Sequence, residues 1–113
     1  MRRNIMDKNN KSNLMTVTFR VKRELHDRYK IAMIKEKITS TESFIMHVKK
    51  QIEHYEKYES KLTDIDNSDY TKANFRIDRD LYAEYKIVMI KERTTPTADF
   101  IRYMMKVVED NNC

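Results

Sequence analysis

The chain has 113 residues, of which 36% are charged and 40% hydrophobic, so it is long enough for one ordinary domain and too apolar for disorder throughout. No run of about 18 apolar residues predicts a transmembrane helix, and no apolar stretch follows the first charges, which argues against a secretory signal. The absence of glycine excludes the Gly-rich phosphate loops of nucleotide-binding proteins.

The formal net charge is +5 at pH 7 and is unevenly distributed. Residues 1–62 carry 15 Lys and Arg against 8 Asp and Glu, whereas residues 63–113 carry 8 against 10. A basic half indicates binding to nucleic acid or to an anionic surface, although solvated lysine-rich helix faces produce the same composition. Because Cys113 is the only cysteine, we expect no internal disulfide and a reducing, cytoplasmic environment.

The first predicted elements are a tail, a strand and a helix. Residues 1–14 have no periodicity and contain four basic residues, so we predict a flexible basic arm. Polar and apolar residues then alternate from Met15 to Val21, which predicts a β-strand with one buried face. Leu25, Tyr29 and Met33 follow at helical spacing and predict a helix over residues 23–37.

A second helix is predicted to begin after Thr39. Thr39 is a favourable N-cap, and Glu42 three positions later completes the pattern of a capping box. We expect this helix to run to about Lys61 and to be followed by a polar linker over residues 63–70. The remaining residues predict a strand up to Ile77, a helix over residues 79–93, and a last helix that Thr95 caps.

This order of elements reflects an internal repeat. A shift of 56 positions superimposes residues 19–53 on residues 75–109, and 17 of these 35 positions are identical without a gap. The sequence therefore predicts two copies of one unit, at residues 15–62 and 71–113. Because a unit of this size seldom buries enough surface alone, we expect the two copies to share one core.

Each copy has the order strand, helix, helix. Thr18–Leu25 lie at the strand-to-helix junction, and Thr39-Ser40-Thr41 precede Phe44. These features resemble the ribbon-helix-helix family, the Arc/MetJ/CopG group of DNA-binding proteins. The resemblance implies a mainly α fold with a short two-stranded antiparallel β-ribbon, here formed by a pseudo-dimer within one chain. It also implies a bacterial, phage or plasmid context. Lys37 and Arg93 stand where the family usually has glycine.

The outward-facing residues of the two strands are the first candidate site. A two-stranded ribbon fits the major groove, and Arg, Asn and Thr have the chemistry to contact base edges. An ordinary solvent-exposed face of a sheet has a similar composition. The predicted DNA base-reading residues are Thr16, Thr18, Arg20, Lys72, Asn74 and Arg76.

Two further sets of residues are candidates for binding. The starts of the second helices combine capping hydroxyls with exposed amides that bind phosphate, and their predicted phosphate-binding residues are Thr39, Ser40, Thr41, Thr95 and Thr97. A second apolar stripe on the first helices marks a possible oligomer contact, unless flanking residues cover it. Its members are Ile31, Ile34, Ile38, Ile87 and Ile90.

These features predict sequence-specific binding of double-stranded DNA, with transcriptional repression as the expected role. The alternatives are an accessory factor in plasmid transfer or partition, and an antitoxin-like module that binds another protein. Pairing of the two strands within one chain competes with a swapped dimer, and self-association on adjacent DNA sites is a further possibility. We expect no enzyme activity and no cofactor. We also expect no metal site, because His47 and His54 lie about 10 Å apart by helical rise, too far for one ion.

Overall fold

A computed structural model of the chain describes residues 13–66 and 68–113, and it has a mainly helical fold with one two-stranded antiparallel sheet and four helices in these residues. The elements in chain order are β1 (Leu14–Lys22), α1 (Arg23–Glu36), α2 (Ser40–Glu53), β2 (Tyr70–Asp78), α3 (Arg79–Lys91) and α4 (Pro96–Asp110). The predicted order of strand, helix and helix in each copy is confirmed. The predicted basic arm falls almost entirely outside the described residues.

The two strands pair with each other within the chain. Their register places Thr18 opposite Asn74, and these two residues are also equivalent in the repeat. The sheet is therefore arranged about an approximate two-fold axis between them, and each strand supplies the backbone partners that the other lacks. The two strands have the same burial pattern, in which alternate residues face the helices.

The core lies beneath this sheet and contains side chains from both copies. Its centre is a cluster of four phenylalanines, one from each strand and one from each second helix: Phe19, Phe44, Phe75 and Phe100. Each strand phenylalanine lies against the helix phenylalanine of the other copy, with ring centroids 5.1 Å apart for Phe19–Phe100 and 4.8 Å apart for Phe75–Phe44. Burial of these rings therefore depends on both copies at once.

Helix packing joins the copies in the same way. α1 packs mainly against α4, and α2 packs mainly against α3, so that each first helix contacts the second helix of the other copy. No helix in residues 13–66 and 68–113 combines the length and apolarity needed to cross a bilayer.

The end of α2 differs from the prediction. The helix stops at Glu53, and residues 54–66 form an irregular segment rather than a helical extension to Lys61. The Gln51 side chain explains the early end, because its amide nitrogen donates to the carbonyl oxygen of Glu56 (2.8 Å) and its amide oxygen accepts from the Glu56 backbone N–H (2.9 Å). These bonds turn the chain back, and the ring of Tyr58 comes to lie 5.7 Å from that of His47.

The turns between the helices of each copy contain residues in an unfavourable backbone conformation. Lys37 has φ of 58° and Arg93 has φ of 59°, so both occupy the left-handed region that favours glycine. In each turn the next residue donates its N–H back to the helix, from Ile38 to the Met33 carbonyl and from Thr94 to the Met89 carbonyl. The closing geometry of the helix is therefore formed without the glycine.

We expect Lys37→Gly and Arg93→Gly each to stabilise the fold by about 0.5–1 kcal/mol. Glycine removes the left-handed strain, and the higher entropy of glycine in the unfolded chain offsets part of this gain. The measurement is urea unfolding followed by circular dichroism. As a control, Ala83→Gly at an exposed position inside α3 is expected to destabilise the fold by about 1 kcal/mol. Equal destabilisation by all three substitutions would contradict the assignment of strain to the two turns.

Candidate nucleic-acid interface

The outer face of the sheet presents six exposed polar side chains, all of which the sequence assigned to base reading. They form three cross-strand pairs: Thr16 with Arg76, Thr18 with Asn74, and Arg20 with Lys72. Three of the six are cationic and none is acidic, so the face carries a charge of about +3 at neutral pH. The strands bring all six residues onto one surface because side chains two apart in a strand point the same way.

The central pair is held in place by a hydrogen bond. The Thr18 hydroxyl lies 2.7 Å from Oδ1 of Asn74 and donates to it. This contact orients the amide so that its NH₂ group and one remaining lone pair of Oδ1 stay available. The Asn74 side chain is therefore pre-organised for a two-point contact with a planar hydrogen-bonding edge.

The two arginines lie at opposite ends of the face and have different neighbours. The guanidinium carbon of Arg20 lies 4.3 Å from the ring centroid of Tyr70, a cation–π contact. Leu14 occupies the position in the other copy that is equivalent to Tyr70, so Arg76 has no aromatic partner of this kind. The repeat thus produces two similar ends that differ in how an arginine is held.

The predicted capping roles of Thr39 and Thr95 are confirmed. The Thr39 hydroxyl accepts from the Glu42 backbone N–H (3.0 Å), and Oε1 of Glu42 accepts from the Thr39 N–H (3.0 Å). These hydrogen bonds lower the pKa of Glu42, which therefore keeps a negative charge at the start of α2. That charge competes with a phosphate for the Thr39, Ser40 and Thr41 end of the helix.

The start of α4 carries no equivalent carboxylate on its surface. The Thr95 hydroxyl accepts from the Ala98 N–H (3.1 Å), and Ala98 stands where α2 has Glu42. Thr95 and Thr97 are both exposed. The start of α4 therefore lacks a surface carboxylate, but Asp99 lies in its first turn and the buried carboxylate also opposes a phosphate there.

Four of the five isoleucines in the predicted oligomer stripe are exposed. Ile31 and Ile87 are each 52% exposed, while Ile34 and Ile90 are 77% and 75% exposed. Ile38 differs because it is half-buried and packs against the core. The chain thus has two matched apolar pairs, one on α1 and one on α3.

A buried polar cluster centred on Asp99 was not predicted from the sequence. One carboxylate oxygen of Asp99 lies 2.7 Å from Nε2 of His47 and 2.5 Å from the Tyr85 hydroxyl, and the other accepts from the Gln51 amide at 2.9 Å. The side chains of His47 and Asp99 have no solvent exposure. The cluster joins α2 of one copy to α3 and α4 of the other, and its burial gives it a structural role.

The repeat makes this cluster one-sided. Asp99 and His47 are equivalent to Ser43 and Tyr103, which form a single hydrogen bond of 2.9 Å on the other side. The sequence contains one signal of this cluster: the second copy has the acidic residue Asp99 at the helical core position where the first copy has Ser43. Its partners in α2, Gln51 and His47, lie 48 and 52 positions away and become neighbours only through the packing of the two copies.

Burial and hydrogen bonding set the charges in this cluster. Burial lowers the pKa of His47 from its ordinary value of 6.5, although Asp99 opposes this effect, so the imidazole is neutral at pH 7. Burial raises the pKa of Asp99, but hydrogen bonds from His47, Tyr85 and Gln51 outweigh it and the pKa is lowered. Asp99 is therefore a carboxylate that a neutral imidazole, a phenol and an amide all stabilise.

Within residues 13–66 and 68–113, no three His, Cys, Asp or Glu side chains are grouped closely enough to hold a metal ion. Comparisons of the chain with protein-family models, with curated proteins and with solved structures find no match.

We expect Asp99→Ala to destabilise the fold by about 3 kcal/mol or more, since it leaves three buried neutral donors without this acceptor, at about 1 kcal/mol or more each. Ser43→Ala, at the equivalent position, removes one neutral hydrogen bond and costs about 1 kcal/mol. Urea unfolding of the two variants measures the difference. Equal losses would contradict the central role of Asp99.

The same cluster predicts a pH dependence. Because the pKa values of His47 and Asp99 are both lowered by folding, the unfolded chain binds more protons, and stability decreases as the pH falls below about 6.5. Stability is therefore fully present above pH 6.5 and is lost progressively toward the folded-state pKa of Asp99. Urea midpoints between pH 8 and pH 4 check this, and His47→Gln is expected to have a shallower profile, because it removes the group of the cluster that titrates in this range. A profile independent of pH would contradict it.

Proposed function

We propose that the chain is a tandem ribbon-helix-helix protein that folds as an intramolecular pseudo-dimer and binds duplex DNA through its β-ribbon. The role that fits best is repression of transcription by occupation of an operator. The observation that carries this proposal is the outer face of the sheet, where the alternating side chains of both strands form one exposed, cationic array around the Thr18–Asn74 pair.

The dimensions of the array suit the major groove. Paired strands lie about 4.8 Å apart, and the groove, about 12 Å wide, admits a two-stranded ribbon. Four residues along β1 separate Thr16 from Arg20, which corresponds to about 13 Å. The array therefore spans about four base-pair steps, with an arginine at each end.

The chemistry of the side chains suits base edges. Arginine bonds to O6 and N7 of guanine with two N–H groups, and asparagine bonds in the same two-point way to N6 and N7 of adenine. Thr18 holds Asn74 in one orientation before DNA arrives, which lowers the entropy cost of the contact. We therefore expect guanine near Arg20 and Arg76 and adenine near Asn74.

The site is asymmetric although the fold is nearly two-fold. The strand β1 contributes Thr16, Thr18 and Arg20, whereas β2 contributes Lys72, Asn74 and Arg76. A homodimer of identical strands reads a palindrome, but a ribbon of two different strands reads a site whose halves differ. The starts of the second helices, at Thr39–Thr41 and at Thr95 and Thr97, are the candidates for phosphate contacts.

A second candidate function is a module that binds another protein. The observation that favours it is the exposure of Ile31, Ile34, Ile87 and Ile90, since exposed apolar side chains on neighbouring helical turns are typical of interaction surfaces. The DNA proposal takes precedence because these isoleucines lie in two separate pairs, whereas the polar face of the sheet is one continuous array.

We expect Arg20→Ala and Arg76→Ala each to weaken binding to the best DNA site by about 1–3 kcal/mol and to relax the preference at one base position. Selection of bound sequences from random duplexes, followed by gel-shift titration, measures both effects. Lys91→Ala removes the same charge away from the sheet and serves as the control. Unchanged affinity and selectivity in both arginine variants would show that the ribbon is not the reader.

The charge of the ribbon predicts a steep dependence on salt. Neutralising several phosphates releases counterions, so affinity falls by at least about 10-fold between 50 mM and 200 mM salt. Fluorescence anisotropy with a labelled duplex measures this slope. An affinity independent of salt, together with binding of a protein partner through the isoleucine pairs, would favour the second candidate function.

A further inference from the structure

A small apolar pocket lies beside one end of the outer face of the sheet, called the reading face below because it carries the proposed base-reading residues. Its volume is about 150 Å³, and it is built by residues from both copies and from the irregular segment between them. The apolar lining residues are Leu25, Ile65, Tyr70, Ile101 and Met105. Two cationic side chains, Arg20 and Lys22, complete the lining.

The repeat does not reproduce this combination at the opposite end of the sheet. The positions equivalent to Tyr70, Met105 and Lys22 are occupied by Leu14, Lys49 and Asp78. One aromatic wall is lost there, a charge replaces an apolar side chain, and an acid replaces a base. In addition, Asp78 accepts hydrogen bonds from the Leu81 N–H at 3.0 Å and from the Asn13 amide at 2.6 Å. The differences concentrate apolar lining and positive charge at the Arg20 end.

The chemistry of the pocket defines the ligand. A cavity of about 150 Å³ with apolar walls accommodates one aromatic ring, and the guanidinium and ammonium groups complement a carboxylate. We propose that this pocket binds a small aromatic carboxylate, with the ring against Tyr70 and Met105 and the carboxylate on Arg20 and Lys22. A ligand of this size binds with a dissociation constant on the order of 1 mM.

Arg20 belongs both to this pocket and to the reading face. Its guanidinium already lies over the Tyr70 ring, at the border between the two. A carboxylate in the pocket neutralises Arg20 and holds it toward Tyr70, so that Arg20 no longer bonds to a guanine. If the chain binds DNA as proposed above, the ligand is therefore an effector that lowers DNA affinity at one end of the site.

Binding itself is tested without DNA. Benzoate is titrated into the ¹⁵N- and ¹³C-methyl-labelled protein, and saturable shifts are expected at Leu25, Ile65, Ile101 and Met105. Benzyl alcohol, which has the ring without the charge, and acetate, which has the charge without the ring, are expected to bind at least about 10-fold more weakly. Absence of saturable shifts at these residues up to 20 mM benzoate would overturn the proposal.

Two variants test the assignment of the walls. Tyr70→Leu installs the residue of the other copy and is expected to weaken benzoate binding about 10-fold, because the aromatic wall is lost. Leu14→Tyr makes the reciprocal change at the opposite end and leaves benzoate affinity unaltered. Met105→Lys, which places the equivalent residue Lys49 in the pocket, provides a second variant if Tyr70→Leu alters the ribbon. Retained affinity in both pocket variants would overturn the assignment.

The effect on DNA is a separate measurement. With benzoate at ten times its dissociation constant, the DNA affinity of the unaltered chain is expected to fall about 3- to 10-fold relative to acetate at the same ionic strength. Arg20→Ala is expected to abolish this difference, whereas Arg76→Ala retains it. Benzoate shifts without any DNA binding would overturn the proposed function and keep the pocket, while DNA binding unaffected by a bound benzoate would overturn the effector role.

Discussion

The pairing of β1 with β2 is the constraint on which the rest of the structure depends. Neither strand has another partner in the described chain, and an unpaired strand leaves backbone N–H and C=O groups without hydrogen bonds. Pairing in the observed register places the repeat-equivalent residues Thr18 and Asn74 opposite each other. It also brings Phe19 and Phe75 over the helices, where the four phenylalanines form a core that neither copy forms alone.

The same pairing separates two kinds of surface. Odd-numbered residues of both strands are buried toward the helices, while even-numbered residues from Thr16 to Arg20 and from Lys72 to Arg76 remain exposed. Core formation thereby fixes the direction of the polar side chains at no further cost, because one register decides both faces of a sheet. The proposed DNA contacts and the fold are in this sense two consequences of one arrangement of hydrogen bonds.

The fold is nearly two-fold symmetric, but sequence differences between the copies make its two sides unlike. In the interior, Asp99 gathers His47, Gln51 and Tyr85 on one side, where the other side has one Ser43–Tyr103 bond. On the surface, Tyr70 and Met105 create a pocket near Arg20 that Leu14 and Lys49 do not reproduce near Arg76. Such differences require two copies in one chain, since identical chains in a homodimer present identical sides.

The sequence by itself determined the secondary structure, the duplication and the outward side chains of the ribbon, because alternation, helical spacing and capping residues such as Thr39 and Thr95 are local signals. The tertiary structure decided the register, the early end of α2 at Gln51, the Asp99 cluster and the pocket beside Arg20. These features depend on contacts between residues far apart in the chain, and local periodicity contains no information about such partners. Asp99 is the clearest case, since its hydrogen-bond partners in α2 lie 48 and 52 positions away.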